Sequence, residues 1–310
     1  MVRTSVDDEA LDVAAILRAP LAVQAQHLSR WGIGRVGLLM LMSGCEARCF
    51  FCANEGTMSP PPEMITRWGP VEAHLDGNTR AALSTLCIGG SEPVTHPNFL
   101  DAVRLARDRG FSEVEVMTSG FRLALDGVAA TWAAAGVSAV AVPMYAAEPE
   151  VHDAITGLPS WHRLVRGIDA ARAAGIAVHV HTLALNRNLS QIGPLSRFVA
   201  DRWGLRLTVA PARGKPGRFD YAAEAPEWDA LGAALASLQV SLVGMPGCLA
   251  PELPQGGARV IQIYFRGQAT AHPEPTCGAC PLRPTCPGIV LEAARLGRFA
   301  GLGPHRLEAH

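Results

Sequence analysis

Six short apolar runs recur along the chain, at residues 36–42, 84–89, 113–118, 138–145, 176–185 and 205–210. Stretches rich in Ala, Leu and Arg with helical spacing separate them, such as 97–109 and 161–174. Strands buried on both faces read as near-continuous apolar runs, and strand–helix repetition calls for a parallel sheet with helices outside. The pattern therefore predicts an α/β fold. Six units fall two short of the eight that close a (β/α)8 barrel.

The flanks read differently. Residues 1–35 form a helical preface, with apolar residues at helical spacing over 10–17 and 21–31. From about Tyr221 the repetition stops. A helix is predicted over 224–238, a Pro- and Gly-rich stretch covers 244–257, and 258–265 reads as a strand turning at Arg266 and Gly267, one arm of a hairpin. The string TCGACPLRPTCPG follows, then a helix over 289–296. The chain thus divides into an extension (1–35), a core (36–221) and a small C-terminal module (222–310).

Of 310 residues, 49% are apolar, enough for a sizeable core, and the net charge of −1 gives no bulk electrostatic case for nucleic acid or a membrane surface. The richest apolar run is far too short to span a bilayer, and the N-terminus has no signal-peptide character, so a cytoplasmic protein is expected. In that compartment eight cysteines are metal ligands sooner than disulfides. Three cluster at Cys45, Cys49 and Cys52, four lie between Cys248 and Cys286, and Cys87 stands alone as a small buried apolar residue.

Three thiolates at C-x3-C-x2-C can hold three irons of a cubane [4Fe-4S] cluster and leave the fourth iron open for chemistry. The competing reading is zinc, for which His96, further downstream, would supply the fourth ligand. The string CEARCFFC, with Phe51 before the third cysteine, is followed by Gly89, Gly90, Ser91, Glu92 and Pro93 at the end of the second predicted strand. Together these resemble the signature of the radical S-adenosylmethionine (radical SAM) superfamily.

That resemblance implies a partial (β/α)6 TIM-like barrel with the site at the carboxyl ends of the strands. It implies that Cys45, Cys49 and Cys52 ligate a [4Fe-4S] cluster and that Gly89, Gly90 and Glu92 meet the amino end of S-adenosylmethionine. The cysteine loop, Phe51 included, would lie near the adenine. Ser119, within Thr118–Gly120 after the third strand, and Asn186, after the fifth, are candidate ribose contacts. A 5′-deoxyadenosyl radical would then abstract hydrogen from the substrate, with electrons from an external donor such as flavodoxin or ferredoxin.

Other rim residues are less specific. His179 and His181 alternate and share a strand face, as substrate contacts or as a core pair. Tyr145, His152 and Arg213 follow the fourth and sixth strands.

Cys277, Cys280 and Cys286 form C-x2-C-x5-C, similar to part of the twitch or SPASM extensions of the same superfamily, and Cys248 supplies a fourth ligand. The implied group is a second, auxiliary [4Fe-4S] cluster. A structural zinc knuckle is the alternative, and replacement of Cys248 by His272 as ligand would free its thiol to donate hydrogen.

An auxiliary cluster in this family accompanies oxidation, and dehydrogenation, epimerisation and peptide cross-linking share that frame. The 35-residue preface is too short and too helical for a separate peptide-recognition domain, which directs the expectation to oxidation or epimerisation of a small metabolite, such as a sugar-derived intermediate. Radical modification of a ribosomal peptide is the leading alternative, and a non-catalytic iron–sulfur electron carrier a further one.

Overall fold

The computed structural model describes residues 35–52, 66–78, 83–214, 217–266, 270–274, 276–300 and 302–303. The helices expected within 1–35, and Gly267 of the expected turn, lie outside them.

All six expected strands form: β1 (Val36–Met40), β2 (Thr85–Gly89), β3 (Glu113–Met117), β4 (Ala139–Pro143), β5 (Ala177–Ala184) and β6 (Thr208–Pro211). They lie parallel in chain order, and a short seventh strand, β7 (Ser241–Leu242), continues the sheet beside β6. The sheet thus runs past the expected boundary at residue 221. The connecting helices are α1 (Trp68–Asn78), α2 (Phe99–Asp108), α3 (Val128–Ala135), α4 (Pro149–Thr156), α5 (Trp161–Ala173) and α6 (Ile192–Trp203). The architecture is a partial α/β barrel.

Strand alternation sorts the two sheet faces. Val114, Val116, Val140, Val142, Val178 and Val180 are buried together, and Val142 meets Leu164 of α5 around Gly120, so this face carries the helices. Removing the fully buried Leu164 side chain would cost about 2–5 kcal/mol. At Gly120 the backbone turns left-handed (φ 79°), and α5 comes so near that a Cβ on Gly167 would lie 2.3 Å from the Gly120 carbonyl oxygen. Only a glycine permits that approach.

The opposite face is polar at intervals. Register aligns Thr85 with Glu113, Cys87 with Glu115, Ala141 with His179, Pro143 with His181, and His181 with Thr208. Polar groups buried on this face need partners. Thr85 donates to Glu113 at 2.9 Å, and the Cys87 thiol lies 3.9 Å from Glu115 Oε2.

The segment expected as a strand and hairpin over 258–265 is a helix, α9 (Arg259–Arg266). Two short helices precede it, α7 (Tyr221–Glu224) and α8 (Trp228–Leu235). The reason for the difference is tertiary. Glu115, from inside the sheet, accepts the amide hydrogen of Val260 at 3.1 Å, and Arg259 pairs with Glu113. A carboxylate on the first-turn amides stabilises a helix start, which outweighs the strand preference of a β-branched run. Val260, Ile261 and Ile263 are buried there.

The expected C-terminal helix is shorter and starts later, as α10 (Leu291–Arg295), because Ile289 and Val290 (β9) pair antiparallel with Thr270 and Ala271 (β8). No described helix is long and apolar enough to cross a membrane.

Candidate active site at the carboxyl ends of the strands

Most of the singled-out segments of the core follow the carboxyl end of a strand, whereas His179 and His181 lie within β5 and His152 within α4. The cysteine loop follows β1, the glycine motif ends β2, Thr118–Gly120 follow β3, Tyr145 follows β4, Asn186 follows β5 and Arg213 follows β6.

The cysteine loop and the glycine motif are stitched together. Leu41 N–H donates to Gly89 O at 2.8 Å. Gly90 has φ 146°, and a Cβ there would stand 2.4 Å from the Leu41 carbonyl oxygen. In this structure its lack of a side chain thus serves the neighbouring strand end. Ser43 N–H donates to Ser91 Oγ at 2.9 Å, and Thr95 Oγ1 donates to Gly44 O at 2.8 Å.

Residues between the cysteines are tethered outward in several directions. Glu46 pairs with Arg163 at 2.8 Å and lies 3.9 Å from Arg122. Arg48 N–H donates to Thr156 O at 2.8 Å, at the end of α4. Phe50 stacks on Phe219 (6.1 Å between centroids) under the Arg187 guanidinium, 4.1 Å from its ring centre. Phe51 meets Tyr145 edge-on at 5.6 Å. No local pattern signals these anchors, which lie from 76 residues (Glu46 to Arg122) to 169 residues (Phe50 to Phe219) downstream.

Glu92 is buried, accepting from Thr118 Oγ1 at 2.6 Å and Ser119 N–H at 2.7 Å. Burial raises its pKa, and these bonds oppose the shift. Asn186 gives its Nδ2 to the carbonyls of Ala223 (2.7 Å) and Ala225 (3.3 Å). His96, the ligand a zinc site would draw on, is committed: Asn98 N–H donates to its Nδ1 (3.1 Å), so its Nε2–H faces Thr66 O at 2.8 Å. His181 and His152 are buried, and burial pushes both down to about 4.

The second cysteine group also comes together. Cys248, Cys277, Cys280 and Cys286 line one cavity with His272 and Arg283. Cys286 Sγ accepts from the amides of Gly247 and Gly288, both at 3.3 Å, and Cys248 Sγ from Gly303 at 3.4 Å. His272 Nε2 lies 3.2 Å from Cys286 O and is occupied there.

The sequence model of the Radical SAM superfamily matches residues 39–199, more than half of the chain. The chain belongs to the radical SAM superfamily.

Among its relatives, the GTP 3′,8-cyclase of Photorhabdus laumondii is 32% identical over 52% of this chain and 49% of that one. The mycofactocin maturase MftC of Mycobacterium ulcerans is 30% identical over 56% and 46%. The AdoMet-dependent heme synthase of Methanosarcina barkeri is 29% identical over 49% and 43%. The chain spans less than half the length of each. Among solved structures, Streptococcus suis SuiB bound to its precursor peptide SuiA superposes with a TM-score of 0.53 at 15% identity, over 74% of this chain and 54% of that one. At that identity the likeness concerns the fold.

A radical SAM enzyme works with a [4Fe-4S] cluster and S-adenosylmethionine, and the residues at the rim fit both. Burial pushes the Cys45 and Cys49 thiols up to about 12, the Glu92 charge adding to the effect at Cys45. Such thiols become thiolates only against a strong local positive charge, which iron supplies. Among the described residues, no three His, Cys, Asp or Glu side chains gather on a point that would hold one metal ion. A cubane instead spreads its ligands over separate irons. Glu92, buried and acceptor-only when ionised, suits an ammonium group.

Proposed function

We propose that this radical SAM enzyme abstracts hydrogen from its substrate for net oxidation, the substrate radical losing a proton and passing its remaining electron to a second cluster. In the alternative outcome, epimerisation, the radical instead takes up a hydrogen atom from a thiol donor and no electron leaves. The observation that carries this reading is the convergence of Cys248, Cys277, Cys280 and Cys286 on one cavity. Four thiolates close a cluster with no open iron, which is suited to electron transfer.

Cys45, Cys49 and Cys52 would hold the first cluster, whose chemistry when bound would be reductive cleavage of S-adenosylmethionine to supply the hydrogen-abstracting 5′-deoxyadenosyl group. The chain's own residues position and shield. Glu92, anchored by Thr118 and Ser119, receives the methionine ammonium beside the Gly89–Gly90 turn. Asn186, its amide nitrogen given to Ala223 and Ala225, keeps Oδ1 to accept from a ribose hydroxyl, and Ser119 lies on the same rim. Phe51 supplies an apolar wall for the adenine. An external donor such as flavodoxin or ferredoxin provides electrons.

A small polar metabolite is the substrate class proposed first, supported by similarity to a GTP cyclase and a heme synthase. A ribosomal peptide is the second reading, favoured by similarity to a mycofactocin maturase.

Anaerobic reconstitution followed by dithionite and S-adenosylmethionine tests the reaction. Two cubanes bring about eight irons per chain, whereas about four irons with one zinc would remove the electron acceptor from the proposal. Absence of 5′-deoxyadenosine from an iron-replete sample would favour the electron-carrier alternative. Deuterated metabolite extract and deuterated peptide pools then separate the substrate classes, because deuterium enters 5′-deoxyadenosine only from the pool holding the substrate.

A further inference from the structure

Tyr145 is 4% exposed although it sits in a connection between β4 and α4. Its main chain is gripped from two sides. The amide N–H donates to His152 Nδ1 at 3.2 Å, and the carbonyl accepts from Asn188 Nδ2 at 2.9 Å. His152 and Asn188 are both fully buried. Asn188 is fixed in turn, with Oδ1 accepting from Leu185 N–H at 2.9 Å and Nδ2 reaching Leu183 O at 3.0 Å.

The side chain held in this way faces the cysteine loop. Its ring meets Phe51 at 5.6 Å with an interplanar angle of 67° and lies 5.7 Å from the His152 ring. Its hydroxyl stands in the field of Cys49, Cys52 and Cys45. Among the described residues that hydroxyl makes no hydrogen bond, and unlike His152 Nε2 its oxygen is not sealed from solvent. A donor that two buried polar side chains hold in place, and that no protein group receives, is set for a non-protein acceptor beside the three thiols.

We infer that the Tyr145 hydroxyl donates a hydrogen bond to a sulfur of the iron–sulfur cluster held by Cys45, Cys49 and Cys52, and thereby sets how readily that cluster accepts an electron. This rests on the assignment of those three cysteines as cluster ligands. A hydrogen bond to sulfur draws off negative charge, which favours the reduced, more negative cluster. His152 and Asn188 act as positioning residues, through the Tyr145 backbone.

The test compares iron-loaded wild type with Tyr145→Phe, which keeps the ring and its packing. The front cluster's midpoint potential is followed by electron paramagnetic resonance, its signal identified by its change on adding S-adenosylmethionine. The substitution should move the midpoint to lower potential at unchanged iron content. It should also remove one exchangeable-proton coupling seen by electron–nuclear double resonance in the wild type. An unmoved midpoint or a retained coupling overturns the inference, and so does an unmoved midpoint with weakened S-adenosylmethionine binding, since the hydroxyl would then serve that molecule. Unchanged wild-type iron content after Cys49→Ala is a different failure: it removes the ligand assignment underneath.

Discussion

The Glu46 carboxylate, set between the first two cysteines of the loop, bonds the Arg163 guanidinium of α5 at 2.8 Å. This ties the cysteine loop to the helix that presses Gly167 against Gly120. Both partners are partly exposed (33% and 26%), so solvent screening keeps the pair's contribution to global stability to about 1 kcal/mol or less. Its larger effect is local. Arg163→Ala should leave the melting temperature within a few degrees of wild type yet quicken iron loss from the front cluster to a chelator. Equal rates of loss would show that the tether does not hold the loop.

The two cysteine groups should fail separately. Cys49→Ala is expected to abolish S-adenosylmethionine cleavage and to remove about four irons per chain. Cys280→Ala should lower iron by a similar amount while uncoupled cleavage persists. Iron analysis beside a chromatographic assay for 5′-deoxyadenosine reads both, and unaltered iron in Cys280→Ala would count against the second cluster.

Gly167→Ala places a methyl group where the Gly120 carbonyl oxygen already stands, at 2.3 Å. That oxygen is backbone, so it does not yield cheaply, and overpacking of this kind costs about 1–3 kcal/mol. Urea titration should show the midpoint falling without a change in slope. A midpoint equal to wild type would mean that α5 can retreat at no cost.

Acid should loosen the grip on Tyr145. The Tyr145 amide donates to Nδ1 of His152, so the neutral ring carries its proton on Nε2, and protonation of Nδ1 breaks that bond. Burial holds His152 down at about 4, against 6.5 for an ordinary histidine. Its contribution is therefore fully present above pH 6.5 and is lost as pH falls from 6.5 towards 4, amounting to about 3 kcal/mol at most. His181, likewise pushed down to about 4, acts in the same direction. Urea midpoints measured from pH 7.5 to 4.5 should decline, and His152→Gln, which retains an acceptor without a titrating ring, should decline less. Parallel curves for the two proteins would refute the assignment.

The strands were legible because parallel strands are covered on both faces, so 36–42 and 138–145 stand out as apolar runs, while 113–118 shows as valines alternating with two glutamates. The cysteine loop and the Gly89–Pro93 motif were legible because their chemistry is compressed into a few consecutive residues. What escaped was made by distance. The 258–265 run carries β-branched residues, and only the Glu115 carboxylate arriving from β3 makes its first turn helical. The partners of Glu46 and Tyr145, at Arg163 and Asn188, sit on elements whose proximity the linear order does not disclose. β7 was missed because two residues give no pattern to read.

The capping of α9 by Glu115 has a consequence for how the molecule is made. Glu115 belongs to the third strand, while its partner amide leaves the ribosome some 145 residues later. During synthesis the carboxylate and the Cys87 thiol beside it must wait with their permanent neighbour still unmade. Shortening the gene before α9 would therefore leave Glu115 without the Val260 amide and Glu113 without the Arg259 guanidinium.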